Sequence, residues 1–165
     1  MHQPSGAAFD VVLLLHASCA VVGLVTSLAA TATAGRLERL VSTSAPLPDA
    51  VRRYYRPGFN WAGRTVYGIP VFGFALVAMS QGAYALGDGW VLAGLALFVG
   101  VALVAEGVLW PGEQRLQRAV ASAGETEGQV AEVASVRRDA RAVARAGGAV
   151  LVLLVAGVVV MVAQP

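Results

Sequence analysis

The chain alternates long apolar runs with shorter stretches that carry nearly all of its charge. Crossing a hydrocarbon core about 30 Å thick takes roughly 20 helical residues at a rise of about 1.5 Å each. Four runs meet that length, over residues 8–34, 65–86, 90–110 and 145–163. The third has a tryptophan at each end, Trp90 and Trp110, as suits indole rings at two membrane interfaces. The fourth holds "AGGAVLVLLVAGVVVMVA", without a charge. This pattern predicts an all-α membrane protein: one integral domain, residues 1–165, with four transmembrane helices in an up-down bundle. Loops 35–64 and 111–144 lie on one side. The leading residues "MHQPSGAAFD" lack Arg and Lys, so the first run reads as a retained helix rather than a signal peptide.

The loops have their own patterning. "STSAPLPDA" (residues 42–50) is a polar connection. In "VRRYYRPGFNWAGR" (51–64), arginines alternate with Tyr54, Tyr55, Phe59 and Trp61. It reads as an interfacial segment with rings at headgroup depth, not as a nucleic-acid site. Pro111 suits the first turn of a new helix, broken by "GETEG" at 124–128. From Gln129 the spacing of Val130, Val133, Val136, Ala140 and Val143 predicts a helix that runs straight into the fourth span.

Composition agrees with a membrane. The 165 residues are 57% hydrophobic and 13% charged, against roughly 25% charged in soluble domains. The charges also orient the chain. All twelve basic residues are arginine, six in the first long loop, five in the second and Arg145 at the adjoining start of the fourth run, and none on the other side. The positive-inside rule then places both loops in the cytoplasm and both termini outside. A single cysteine, Cys19, excludes a disulfide framework and a cysteine zinc site.

Candidate chemistry is sparse. On helix one, Cys19, Gly23, Ser27 and Thr31 fall at intervals of four, a small-residue face for close helix packing. His16 lies on the same side, pointing into the bundle. The simplest reading gives its imidazole a hydrogen bond to a carbonyl or hydroxyl on a neighbouring helix. Counting inward from the outer ends puts Met79 at the same depth on the second helix. His16 and Met79 are then candidate axial ligands of a haem iron. With Cys19 they form a candidate Cu(I) set. Glu106, one turn before Trp110, is a polar intramembrane position that Tyr67 or Arg64 would satisfy. Pro70, flanked by Gly68 and Gly73, marks a bend or a close-packing point.

Several features together resemble a bacterial family of four-helix integral membrane proteins of unknown function. They are the early His16 followed by "VVG", the "PG" of the first loop, the "WP" after the third run and the terminal "VVMVAQP". That family is distantly similar to the copper-resistance D membrane domain. It is also similar to the membrane protoporphyrinogen oxidase that carries haem b. In the oxidase a helix-one histidine and an intramembrane lysine matter for function. His16 matches the first; the chain has no lysine to match the second.

The reading is thus a small protein of the bacterial cytoplasmic membrane. It is expected to be a non-catalytic accessory subunit or a self-associating bundle. Its partners are the bilayer and other membrane subunits or a second copy, with no nucleic acid. The alternative is a haem-b-binding redox or porphyrin-handling protein with His16 as axial ligand. A channel is disfavoured, because only Asp10, His16 and Glu106 offer a polar path. No nucleophile, base and orienter set for hydrolysis is present.

Overall fold

The computed structural model describes residues 6–43, 46–58, 60–122 and 130–163. His2, Phe59, the 124–128 break and part of the 42–50 connection lie outside them. Among the described residues the protein is all helical. Its helices are α1 (Ala7–Ser42), α2 (Asp49–Tyr54), α3 (Trp61–Met79), α4 (Gly89–Ser122) and α5 (Val130–Val162). Helices α1, α3, α4 and α5 are long and apolar enough to cross a membrane. The chain packs as two compact units. The first holds residues 1–26, 60–101 and 151–165, the second 27–59 and 102–150.

In the first unit the helices run antiparallel through small contacts. Cys19 Sγ occupies the space where a side chain on Gly68 would begin. Gly23 faces Val66 and Leu154, and Gly73 faces the His16 ring. Position numbers rise along α1 as they fall along α3. Gly94 meets Met161 and Gly100 meets Leu153, which sets α4 antiparallel to α5. Val11, Leu14, Val21 and Val25 of α1 and Val152, Val158 and Val159 of α5 are exposed. So wide an apolar exterior suits lipid and not water.

Three helices differ in extent from the sequence pattern: α1 continues past residue 34 to Ser42, into the stretch read as a loop, and α3 and α4 end elsewhere than their apolar runs. The second run is apolar to Leu86, yet α3 stops at Met79. Gln81 (φ 53°) and Gly82 (φ 87°) turn left-handed, a conformation that ends helices. Buried Ser80 fixes the turn: its hydroxyl donates to the Val77 carbonyl (2.7 Å) and accepts from the Tyr84 amide (3.1 Å). Asp88 then caps the next turn by accepting from the Ala85 amide at 2.8 Å. The third run does not end at Trp110. Residues 105–109 form a wide π turn in which the Trp110 amide bonds the Ala105 carbonyl. Pro111 brings no amide proton to the ladder. The wide turn reorganises the bonding around it, and the helix continues to Ser122.

The second unit has a conventional core of Ala34, Leu37, Val51, Tyr55, Leu116 and Val143, all nearly inaccessible. Glu38 Oε1 lies 2.7 Å from Arg141 Nη2, and Asp139 Oδ1 lies 3.2 Å from Arg115 Nε. Ser27 is buried, and the Thr31 hydroxyl donates to its carbonyl at 2.8 Å. Gly147 packs directly on this pair. A Cβ there would sit 2.6 Å from Thr31 Oγ1 and 3.3 Å from the Ser27 carbonyl oxygen.

That contact sets a paired expectation. Gly147→Ala pushes against a fixed backbone and should lose about 1–3 kcal/mol. Gly148→Ala meets nothing within 4 Å and should gain up to about 1 kcal/mol from helix propensity. Thermal unfolding of both variants in one detergent checks this; equal midpoints would refute the close-packing account.

Candidate functional site

His16 sits half-buried on α1, and its Nδ1 lies 2.9 Å from the Ile69 carbonyl oxygen. A carbonyl only accepts, so Nδ1 carries the proton. The neutral ring then offers Nε2 as its acceptor nitrogen. Gly73 packs beside the ring: a Cβ there would stand 3.4 Å from His16 Cε1, an ordinary contact distance. Local sequence explains the fit, with a histidine on the small face of α1 opposite a glycine on α3.

His16 lines a cavity of about 260 Å³ within the first unit. Phe74, Trp90, Phe98 and Met161 are among the other lining residues. Tyr84, from the turn after α3, packs its ring edge-on against Trp90 at 5.4 Å, and both line the cavity. Tyr67 and Phe98 form a second edge-on pair at 6.0 Å.

Met79 is not among the lining residues. His16 meets Ile69 and Gly73 instead, and Gly73 is six residues before Met79, about 9 Å along a helix. The depth count fails because it started at Leu86, whereas α3 ends at Met79. Met161 of α5 is the methionine that shares the cavity with His16. Its signal in the sequence is its place near the outer end of the fourth run. Cys19 lies against Gly68. Among the described residues no three His, Cys, Asp or Glu side chains gather as a metal site.

The remaining sequence candidates take structural places. Gly23 is buried, with Cys19 half-buried beside it in the first unit; Ser27 and Thr31 pack on Gly147 in the second. Glu106 lies on an exposed face of the π turn.

A second polar cluster was not foreseen. Glu113 is 5% exposed and accepts a hydrogen bond from the Tyr54 hydroxyl at 3.0 Å. Tyr55 is 1% exposed, and its buried hydroxyl has no hydrogen-bond partner among the described residues. The two rings pack edge-on at 5.0 Å. These tyrosines therefore belong to the core of the second unit and not to a headgroup belt. Burial, then the nearby Glu113 carboxylate, pushes both phenols well above their ordinary range.

The family model described as "Predicted integral membrane protein (DUF2269)" matches residues 10–165. The chain belongs to this family. DUF2269 members are integral membrane proteins of unknown function, which fits the four apolar helices. No curated protein and no solved structure matches the chain.

The tyrosine pair yields opposite expectations for similar changes. Tyr54→Phe removes a bond to a buried carboxylate and should cost about 1–3 kcal/mol. Tyr55→Phe removes an unpaired buried hydroxyl and should be neutral or stabilising. The unfolded phenols ionise near pH 10 while the folded ones stay neutral. The stability they contribute is therefore complete below about pH 10 and declines as pH rises past it. Denaturation of the two variants at neutral and alkaline pH measures both effects. A larger loss for Tyr55→Phe would overturn the assignment.

Proposed function

We propose that this DUF2269 protein is a non-catalytic accessory protein of the bacterial cytoplasmic membrane, with both termini on the outer side. One observation carries the reading. Eleven of the twelve arginines lie in the second unit, and every one is exposed. The acids there that pair or hydrogen-bond, Glu38, Asp139 and Glu113, are half-buried or buried. The unit thus presents guanidinium groups outward over a packed interior. Such a surface suits the cytoplasmic face of a membrane, where it meets anionic headgroups and acidic faces of neighbouring subunits. The apolar exterior of the first unit, by contrast, suits lipid.

The haem-b alternative has partial support. A histidine with Nδ1–H held by a backbone carbonyl is a well-oriented axial ligand through Nε2, and Met161 adds a thioether to the same cavity. The donors fit and the space does not. About 260 Å³ falls below the roughly 300–1,000 Å³ of drug-sized sites, and a porphyrin macrocycle is larger than most drugs. We derive no chemistry through haem.

Three measurements test the proposal. In a Cys19→Ser background, a cysteine added before residue 6 should react with an impermeant reagent on intact cells. A cysteine replacing Arg118 should react only after permeabilisation. The reverse pattern overturns the orientation. For the accessory role, in-cell cross-linking from the arginine-bearing unit should trap a specific membrane subunit, and Arg52→Glu with Arg53→Glu should abolish the adduct. A clean monomer after several gentle extractions overturns it. Protein expressed with haem precursor should purify colourless; a Soret band lost in His16→Ala would defeat the non-catalytic reading.

A further inference from the structure

We infer that the cavity of the first unit binds a small hydroxylated aromatic molecule, a phenol-type ring whose O–H donates to His16 Nε2. The site goes beyond the accessory role and does not depend on it.

The argument begins with the proton on Nδ1. Because Nδ1–H is committed to the Ile69 carbonyl, the neutral imidazole has one remaining polar atom, and that atom only accepts. A ligand that satisfies it must therefore bring a hydrogen-bond donor. A ketone, ether or ester would leave Nε2 unmatched. A permanent cation or anion would enter an apolar chamber at heavy desolvation cost. Neutral O–H and N–H groups meet both conditions, and among them the phenolic O–H, the more acidic donor, makes the stronger hydrogen bond to an imidazole nitrogen.

Volume and lining narrow the rest of the molecule. An apolar cavity of about 150 Å³ admits a benzene. The present one, about 260 Å³, has room for a six-membered ring with a few methyl substituents. Its walls include the rings of Phe9, Phe74, Trp90 and Phe98. Aromatic walls favour an aromatic guest through edge-to-face contacts. The Tyr84–Trp90 pair stands at the turn end of this chamber. Both side chains belong to the residue types that mark a membrane–water interface. A sparingly soluble phenol partitions to that depth of a bilayer without assistance.

The site also explains a local arrangement. A histidine satisfied by Ile69 alone needs no cavity beside it. Here one nitrogen is held by the backbone, Gly73 packs beside the ring, and the ring lines open space. Fixing one nitrogen to the backbone is how proteins orient the other toward a guest.

The probes are 4-fluoro-3,5-dimethylphenol and its methyl ether, which differ only in the donor. Each is titrated into the full-length protein in detergent, and affinity is read from the saturable change in ¹⁹F chemical shift. Empty micelles give the partition baseline. The phenol should bind about tenfold more tightly than the ether, the value of one hydrogen bond retained in an apolar site. His16→Phe should reduce that ratio to one while the protein keeps its thermal midpoint within a few degrees. Equal affinity of phenol and ether for the wild-type protein overturns the inference, as does the absence of saturable binding above the micelle baseline. The wild-type comparison needs no variant, so a misfolded His16→Phe leaves the test intact.

Discussion

Helices in lipid gain little from burying apolar surface against one another, because the surrounding acyl chains are equally apolar. Association then depends on how closely two backbones can approach. In this protein the approach is set by glycine on one helix and a small or slender side chain on the other. Cys19 on Gly68, Gly23 on Val66 and Gly147 on the Ser27–Thr31 turn are three instances. These contacts fix the antiparallel register. The register in turn puts the His16 nitrogen on the Ile69 carbonyl. A polar group that would be costly beside lipid becomes a directional contact instead.

The two units differ in the side chains they turn outward. The first carries Asp10, Arg64 and Asp88 as its charged residues and leaves its valines and leucines outward. The second buries Leu37, Val51, Leu116 and Val143 and turns its arginines outward, while Leu28, Leu103, Val108 and Val133 stay exposed. The domain boundaries fall inside α1, α4 and α5. At 36 residues, α1 is about 54 Å long, well beyond the hydrocarbon thickness of about 30 Å. Along that length α1 exposes Val11, Leu14, Val21 and Val25 first and Arg36 and Arg39 later.

Much of this was legible in the sequence. Run length and charge exclusion gave four spans, because hydrocarbon imposes both demands on any chain that crosses it. The spacing from Gln129 onward correctly indicated a helix continuous with the fourth run. The end of α3 was less legible: "AYAL" after Gly82 is still apolar, so hydropathy ran past the left-handed turn that Gly82 permits. That error of seven residues moved Met79 opposite His16 on paper and concealed Met161. Tyr54 and Tyr55 were read from their arginine neighbours, whereas their place is decided by Glu113, 58 or more positions away. Long-range pairings of this kind leave no periodic mark.

The wide turn at residues 105–109 has a geometric corollary. Along this part of α4, Ala105, Leu109 and Glu113 are buried at a spacing of four, with Trp110 and Gly112 buried beside them. In an ordinary helix each step of four overshoots a full revolution by roughly 40°, since each residue turns about 100°. A turn that holds an extra residue absorbs the overshoot. The chain can therefore accommodate a one-residue change in helix length at this point and still deliver the same side of the helix, carboxylate included, to the interior.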